Sequence, residues 1–183
     1  MTTDEPRDAV DVELPTWMAH LPAVEPDVES ARQRIRRLSR LFDEVIADAA
    51  ADHDMSVGDL EALSVLARGD GELLPGDIAR TLGITSGSTS LRLDRLTRAG
   101  LVEPAPRSGD GRSRPVRLTE SGRQRWRSAT DRRTDVEHSL VTGALDGDDL
   151  TALNDLLAAL LGHVERELGR HAPARGPVQR VER

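Results

Sequence analysis

LPGDIARTLGITSGSTSLRLDRLTRAGLVEPAPRSGDGRSRPVRL, residues Leu74–Leu118, decides the fold. Its first part places Ile78, Ala79 and Leu82 on one side of a short helix, which Gly83 closes while Ile84 packs the turn beneath. Thr85 and Ser86 can cap a second helix, whose Leu93 and Leu96 point back to the core. The small hydroxyl residues between Thr85 and Ser90 leave the first turn and a half of that helix free to approach a duplex closely. Gly100 ends it. Val102–Pro106 and Pro115–Leu118 then read as two short extended arms, joined by a Ser-Gly-Asp-Gly turn and loaded with Arg107, Arg112 and Arg114. Two helices followed by an arginine-tipped hairpin predict a winged helix-turn-helix, and the whole chain is expected to be mainly α with a small β-hairpin wing.

Working outward, the flanks read as helices. Residues 1–14 are acidic and expected to be disordered, and Pro15, Pro22 and Pro26 bracket one or two helical turns around Trp17, Met18 and Leu21. From Asp27 to about Ala51, the spacing of Ile35, Leu38, Leu41, Phe42, Val45, Ile46 and Ala49 fits a long amphipathic helix with Arg32, Arg36, Arg37 and Arg40 on its outer face. Ser56 caps a helix over Val57–Arg68 with Leu60, Leu63 and Leu66 inward. Beyond the wing, a largely polar helix runs from Thr119 to about Leu140. A last helix, Asp149–Leu168, is capped by Asp146 or Asp148 and is apolar at Leu150, Leu153, Leu156, Leu157, Leu160, Leu161 and Val164. That stripe is too broad for the surface of a monomer and predicts a partner subunit. The expected organisation is an acidic extension over 1–26, a regulator domain over 27–169 and a disordered tail over 170–183. Within the domain, a winged helix at about 56–119 lies between dimerisation helices at about 27–52 and 119–169.

Charge sorts the function classes. The formal net charge is -7, but between Arg80 and Arg133 thirteen arginines face five acids, a local balance of +8. One basic face on an acidic body suits a protein that must neutralise phosphates and stay in solution. All 25 basic residues are arginine, and there is no cysteine, which excludes disulfides, zinc-thiolate sites and cysteine nucleophiles. The N-terminus lacks an apolar leader core and no apolar run approaches the length of a membrane span, so a cytoplasmic setting without membrane contact is expected. The five histidines, His20, His53, His138, His163 and His171, are scattered without metal-ligand spacing. No glycine-rich phosphate loop or nucleophile elbow occurs, so neither enzyme, cofactor nor metal site is expected.

The strings IARTLGITSG, LTRAGLVEP and GDGRSRPVRLTESG resemble the MarR family of bacterial winged-helix regulators, over about residues 30–168. The most specific part is the wing, Asp110-x-Arg112 followed by an extended arm and Leu118-Thr119-x-x-Gly122. The resemblance implies a homodimeric transcription factor, a repressor more than an activator, with interlocking terminal helices and half-sites about 10 base pairs apart on double-stranded DNA.

Each candidate contact has a physical role. Ser86, Ser88, Thr89 and Ser90 offer hydroxyls to base edges or phosphates, with helix capping the competing use. Leu91 sits where relatives often carry a polar base reader and offers an apolar surface to thymine methyls. Arg95 and Arg98 are phosphate contacts or a solvated face. Arg112, at the hairpin tip, is placed to enter a narrow minor groove, with Arg107 and Arg114 serving the flanking phosphates. A narrower resemblance, to the urate-responsive and PecS-like branch, rests on SGSTSLRLDRL and the Trp17 segment. It implies a small anionic or aromatic effector held by Trp17, Glu61 and Arg92, with Arg92 and Glu61 as an ion pair that an anion could break. The branch's wing-proximal arginine falls on Pro104, and Arg92 and Trp17 have bracing and packing as their plainer roles. Winged helices also serve as protein-interaction modules. The hydroxyl-rich reader and arginine-rich tip favour DNA over that alternative, since a protein-binding face would present aromatic or aliphatic anchors.

Overall fold

Helix caps and glycines set the limits of most elements in the computed structural model, which describes residues 7–20, 23–69, 71–106 and 114–169. The chain divides into two compact units, Met1–Ile46 and Ala47–Arg183. In the first, α1 spans Ala9–Met18, and α2, Pro26–Ala51, begins and runs on past the boundary. Helix α1 starts inside the stretch expected to be disordered, because its acids find arginines. Asp8 caps it by accepting the Val10 and Asp11 N–H groups, and also takes the Arg34 guanidinium at 2.7 Å. Arg34 reaches Asp11 and the Ser30 hydroxyl as well, and Arg37 donates to Glu13 at 3.1 Å. Val10 is the only buried residue of α1. Arg37 therefore faces a carboxylate, although the helix periodicity places it on an outer, solvated face.

The second unit is built around α3, Val57–Arg68. Ser56 and Asp59 cap it reciprocally, each side chain taking the other's backbone N–H. Pro75–Leu82 forms α4, which ends at Gly83 with φ 66°, a left-handed conformation that costs glycine nothing. Thr85 caps α5, Ser86–Arg98, by accepting the Ser88 N–H. The hairpin is short: β1, Val102–Pro104, pairs antiparallel with β2, Val116–Leu118, with Val102 opposite Leu118 and Glu103 opposite Arg117. Leu73 extends the sheet by exchanging both backbone bonds with Val116 at 3.0 and 2.9 Å. Thr119 caps α6, Glu120–Thr142, and Asp146 caps α7, Gly147–Glu167.

The core sits beneath the reader. Leu63 of α3, Ile78 of α4, Leu96 of α5 and Val102 of β1 are fully buried, with Leu60, Leu66, Leu93 and Leu118 around them. Each such aliphatic side chain contributes on the order of 1.5–3 kcal/mol by leaving water, which is what holds three short helices and a two-stranded sheet together. Helix α6 is tied to this core by the Trp126 indole N–H, which donates to the Ser64 hydroxyl at 3.0 Å, and by Arg125, which donates to the His53 carbonyl at 2.6 Å. No residue of α7 is buried.

Candidate nucleic-acid interface

Helix α5 has two dissimilar faces. Leu93 and Leu96 lie in the core, one and two positions away from the arginines that tie the helix to α3. Opposite them, Ser86, Gly87, Ser88, Ser90 and Leu91 are exposed, and Leu91 is 72% exposed with no apolar neighbour to cover it. An aliphatic side chain so placed on a helix tip loses contact with water only if a partner surface arrives. Small residues flanking it let that surface approach the backbone.

One expected contact is corrected. Thr89 is 1% exposed and donates its hydroxyl to the Thr85 carbonyl at 3.0 Å, so it belongs to the core and the helix start, not to the reading face. Its position explains the change: it lies four residues before Leu93, on the same inward side. Ser88 is exposed, although its hydroxyl accepts from Thr85 at 2.9 Å.

The arginines of α5 divide by partner. Arg95 donates to Asp59 at 3.1 Å and to the Ser56 hydroxyl at 3.2 Å, so it ties the reader to the start of α3. Asp59 is buried. Burial pushes its carboxyl up, but the Ser56 hydroxyl and the Arg95 guanidinium outweigh that and hold it below the ordinary carboxylate value. Arg98 is exposed. Arg92 lies over α3 with a guanidinium nitrogen 3.6 Å from Glu61, and its Nη1 is buried without a hydrogen-bond partner. A Cβ at Gly58 would fall 2.3 Å from Arg92 Nη2, so this guanidinium rests on bare helix backbone. Glu61 and Arg92 are thus brought together, while Trp17 belongs to the first unit, where it lines a cleft between α1 and α2.

At the wing, Arg114 is exposed, and the hairpin base is fastened by Arg117, which donates to Glu103 at 2.8 Å. Arg107 and Arg112 lie outside the described residues. Two functional positions escaped the sequence reading. Asp59 carried a signal, since Ser56-x-x-Asp59 is a capping-box spacing; Gly58 carried none, because nothing local says that an arginine far along the chain will cross it. Among the described residues no helix is long and apolar enough to cross a membrane.

Comparison with known proteins agrees with this geometry. A sequence model described as the MarR family matches residues 53–113. The HTH-type transcriptional regulator PecS of Dickeya dadantii (strain 3937) is 25% identical over 154 residues, covering 83% of this chain and 90% of PecS. The YusO protein from Bacillus subtilis is similar in structure with a TM-score of 0.64 at 16% identity, over 74% of this chain and 94% of its own. A cysteine-to-serine mutant of MarR from E. coli, complexed with operator DNA, gives a TM-score of 0.57 at 22% identity, over 74% and 96%. At those identities the two structures establish the fold, a winged helix within a helical frame.

Proposed function

This chain is a transcriptional regulator that carries a MarR-family domain, and from that premise we propose that it binds a pseudo-palindromic operator as a homodimer and releases it when a small anionic effector binds. The observation that carries the reading is the two-faced α5. Its inner side is fixed to the core and to α3, and its exposed tip presents Ser86, Ser88, Ser90 and Leu91 to whatever lies beyond. Hydroxyls reach base edges and phosphates, and Leu91 suits a thymine methyl. Arg98 and Arg114, with Arg107 and Arg112 of the wing, supply the phosphate and minor-groove contacts in this reading.

The dimer follows from α7. Leu153, Leu156, Leu157, Leu160, Leu161 and Val164 are all exposed, at spacings of three and four that make one continuous stripe. A second copy supplies the missing cover by symmetry. Effector response is supported by Arg92, a cation on the reading helix whose ion pair is loose and whose Nη1 is unsatisfied. An anion that bound Arg92 better in one position of α5 than in another would shift the reader between them. We assign repression as the sign, because occupancy relieved by a ligand needs no further surface for activation.

The test is fluorescence anisotropy of the protein on its own upstream intergenic DNA across a salt series. Six or more phosphate contacts predict a loss of about 10³-fold or more in affinity between about 50 and 200 mM salt, with Arg112→Ala weakening binding at every salt concentration while the dimer stays intact. Binding that ignores salt and sequence would favour the protein-interaction module instead.

A further inference from the structure

We propose that the cleft between α1 and α2 is a binding site for a small aromatic anion, of the aryl carboxylate class. Val10, Glu13 and Trp17 recur along one side of α1 at spacings of three and four, and Arg36, Arg37 and Arg40 do the same on α2. The two rows enclose a cavity of about 180 Å³. That is smaller than the roughly 300–1,000 Å³ of drug-sized sites, so its occupant is one small ring molecule and not a peptide.

The lining dictates the chemistry of that molecule. Three guanidinium groups face one carboxylate, and Glu13 is already engaged by Arg37 Nη2 at 3.1 Å. Arg40 has only Glu44, 3.7 Å away with both side chains mostly exposed, a distance beyond hydrogen bonding. Arg36 makes no ion pair among the described residues. The cleft therefore carries surplus positive charge. Arg37 Nη1 adds a second, independent observation: it is buried and has no hydrogen-bond partner. Leaving a charged donor unpaired away from water is costly, and an acceptor brought by a ligand removes the cost. A carboxylate matches the guanidinium fork with two parallel bonds, which a halide or an ammonium cannot do. The Trp17 indole supplies an apolar wall on which a flat ring can stack.

The assignment rests on the effector-responsive reading for its purpose, but its chemistry stands on the cleft alone. It also gives Trp17 partners in Arg36, Arg37 and Arg40 that the family resemblance did not suggest.

The experiment uses the full-length chain with Trp126→Phe, which leaves Trp17 as the sole tryptophan, and 4-nitrobenzoate as the probe, since nitroaromatic rings quench indole on contact. Saturable quenching is expected, about tenfold or more weaker in an Arg36→Gln, Arg40→Gln variant with unchanged far-UV circular dichroism. These two arginines are chosen because neither bonds α1. Neutral nitrobenzene is expected not to saturate. Equal binding of nitrobenzene, equal binding by the double variant, or no saturable quenching overturns the site. Anisotropy on operator DNA in the same titration separates the two readings. Quenching without DNA release keeps the site and removes its link to regulation, whereas release without quenching keeps effector response and overturns this cleft as its seat.

Discussion

A Cβ added at Gly122 would lie 1.9 Å from the carbonyl oxygen of Leu101, which already accepts the Thr119 N–H at 3.1 Å. The obstacle is backbone on one side and helix on the other, so no side-chain rotation relieves it, and α6 must shift away from the link between α5 and β1. At Gly58 the added atom meets the far end of Arg92, a flexible chain that can swing aside. Thermal melts of the two alanine variants separate these cases. Gly122→Ala is expected to cost about 1–3 kcal/mol and to lower Tm by about 2 °C or more, while Gly58→Ala stays near wild type. Equal melting of Gly122→Ala and the parent would mean that α6 has slack at its start. Residue-scale features of this kind were the least legible in the sequence. Gly58 with Arg92 and Asp59 with Arg95 join positions far apart in the chain, and no periodicity links them.

Helix boundaries, by contrast, are local events, and the sequence carries them openly. Ser56, Thr85 and Asp146 cap as their types predict, and Gly83 takes the left-handed turn that ends α4. Helix α1 is the exception, because its composition reads as a solvated acidic tail and its order comes from arginines on another helix. Asp8 is held at about 2, from an ordinary 3.8, chiefly by the Arg34 guanidinium, and Asp11 is lowered by Arg7 and Arg34. Both values are depressed on folding. Their stabilising effect is therefore complete above the ordinary carboxylate value and is lost as pH falls from about 3.8 towards 2. In the Trp126→Phe background, Trp17 emission is expected to change across that window, and Asp8→Asn to produce the same change at neutral pH. Emission that stays constant down to pH 2 would rule out these ion pairs as the tether of α1.

For the molecule as a whole, the uncovered leucines of α7 argue against a lone chain as the working form. Leu157→Asp with Leu160→Asp is expected to convert a dimer into a monomer at micromolar concentration in sedimentation velocity, and to weaken operator binding by removing the second reader. A dimer that survived both changes would place the interface elsewhere. The overall charge shows how an average conceals a site: -7 across the chain coexists with an arginine-rich reader, and only mapping along the sequence brought it out. The same division of labour within α5 bears on how such regulators acquire new targets. Leu93, Arg95 and Leu96 are committed to attachment, whereas Ser86, Ser90 and Leu91 stand clear of the core. Substitutions at the free positions can rewrite which DNA is read while the domain folds as before, so new specificity is reachable in single steps that stability does not oppose.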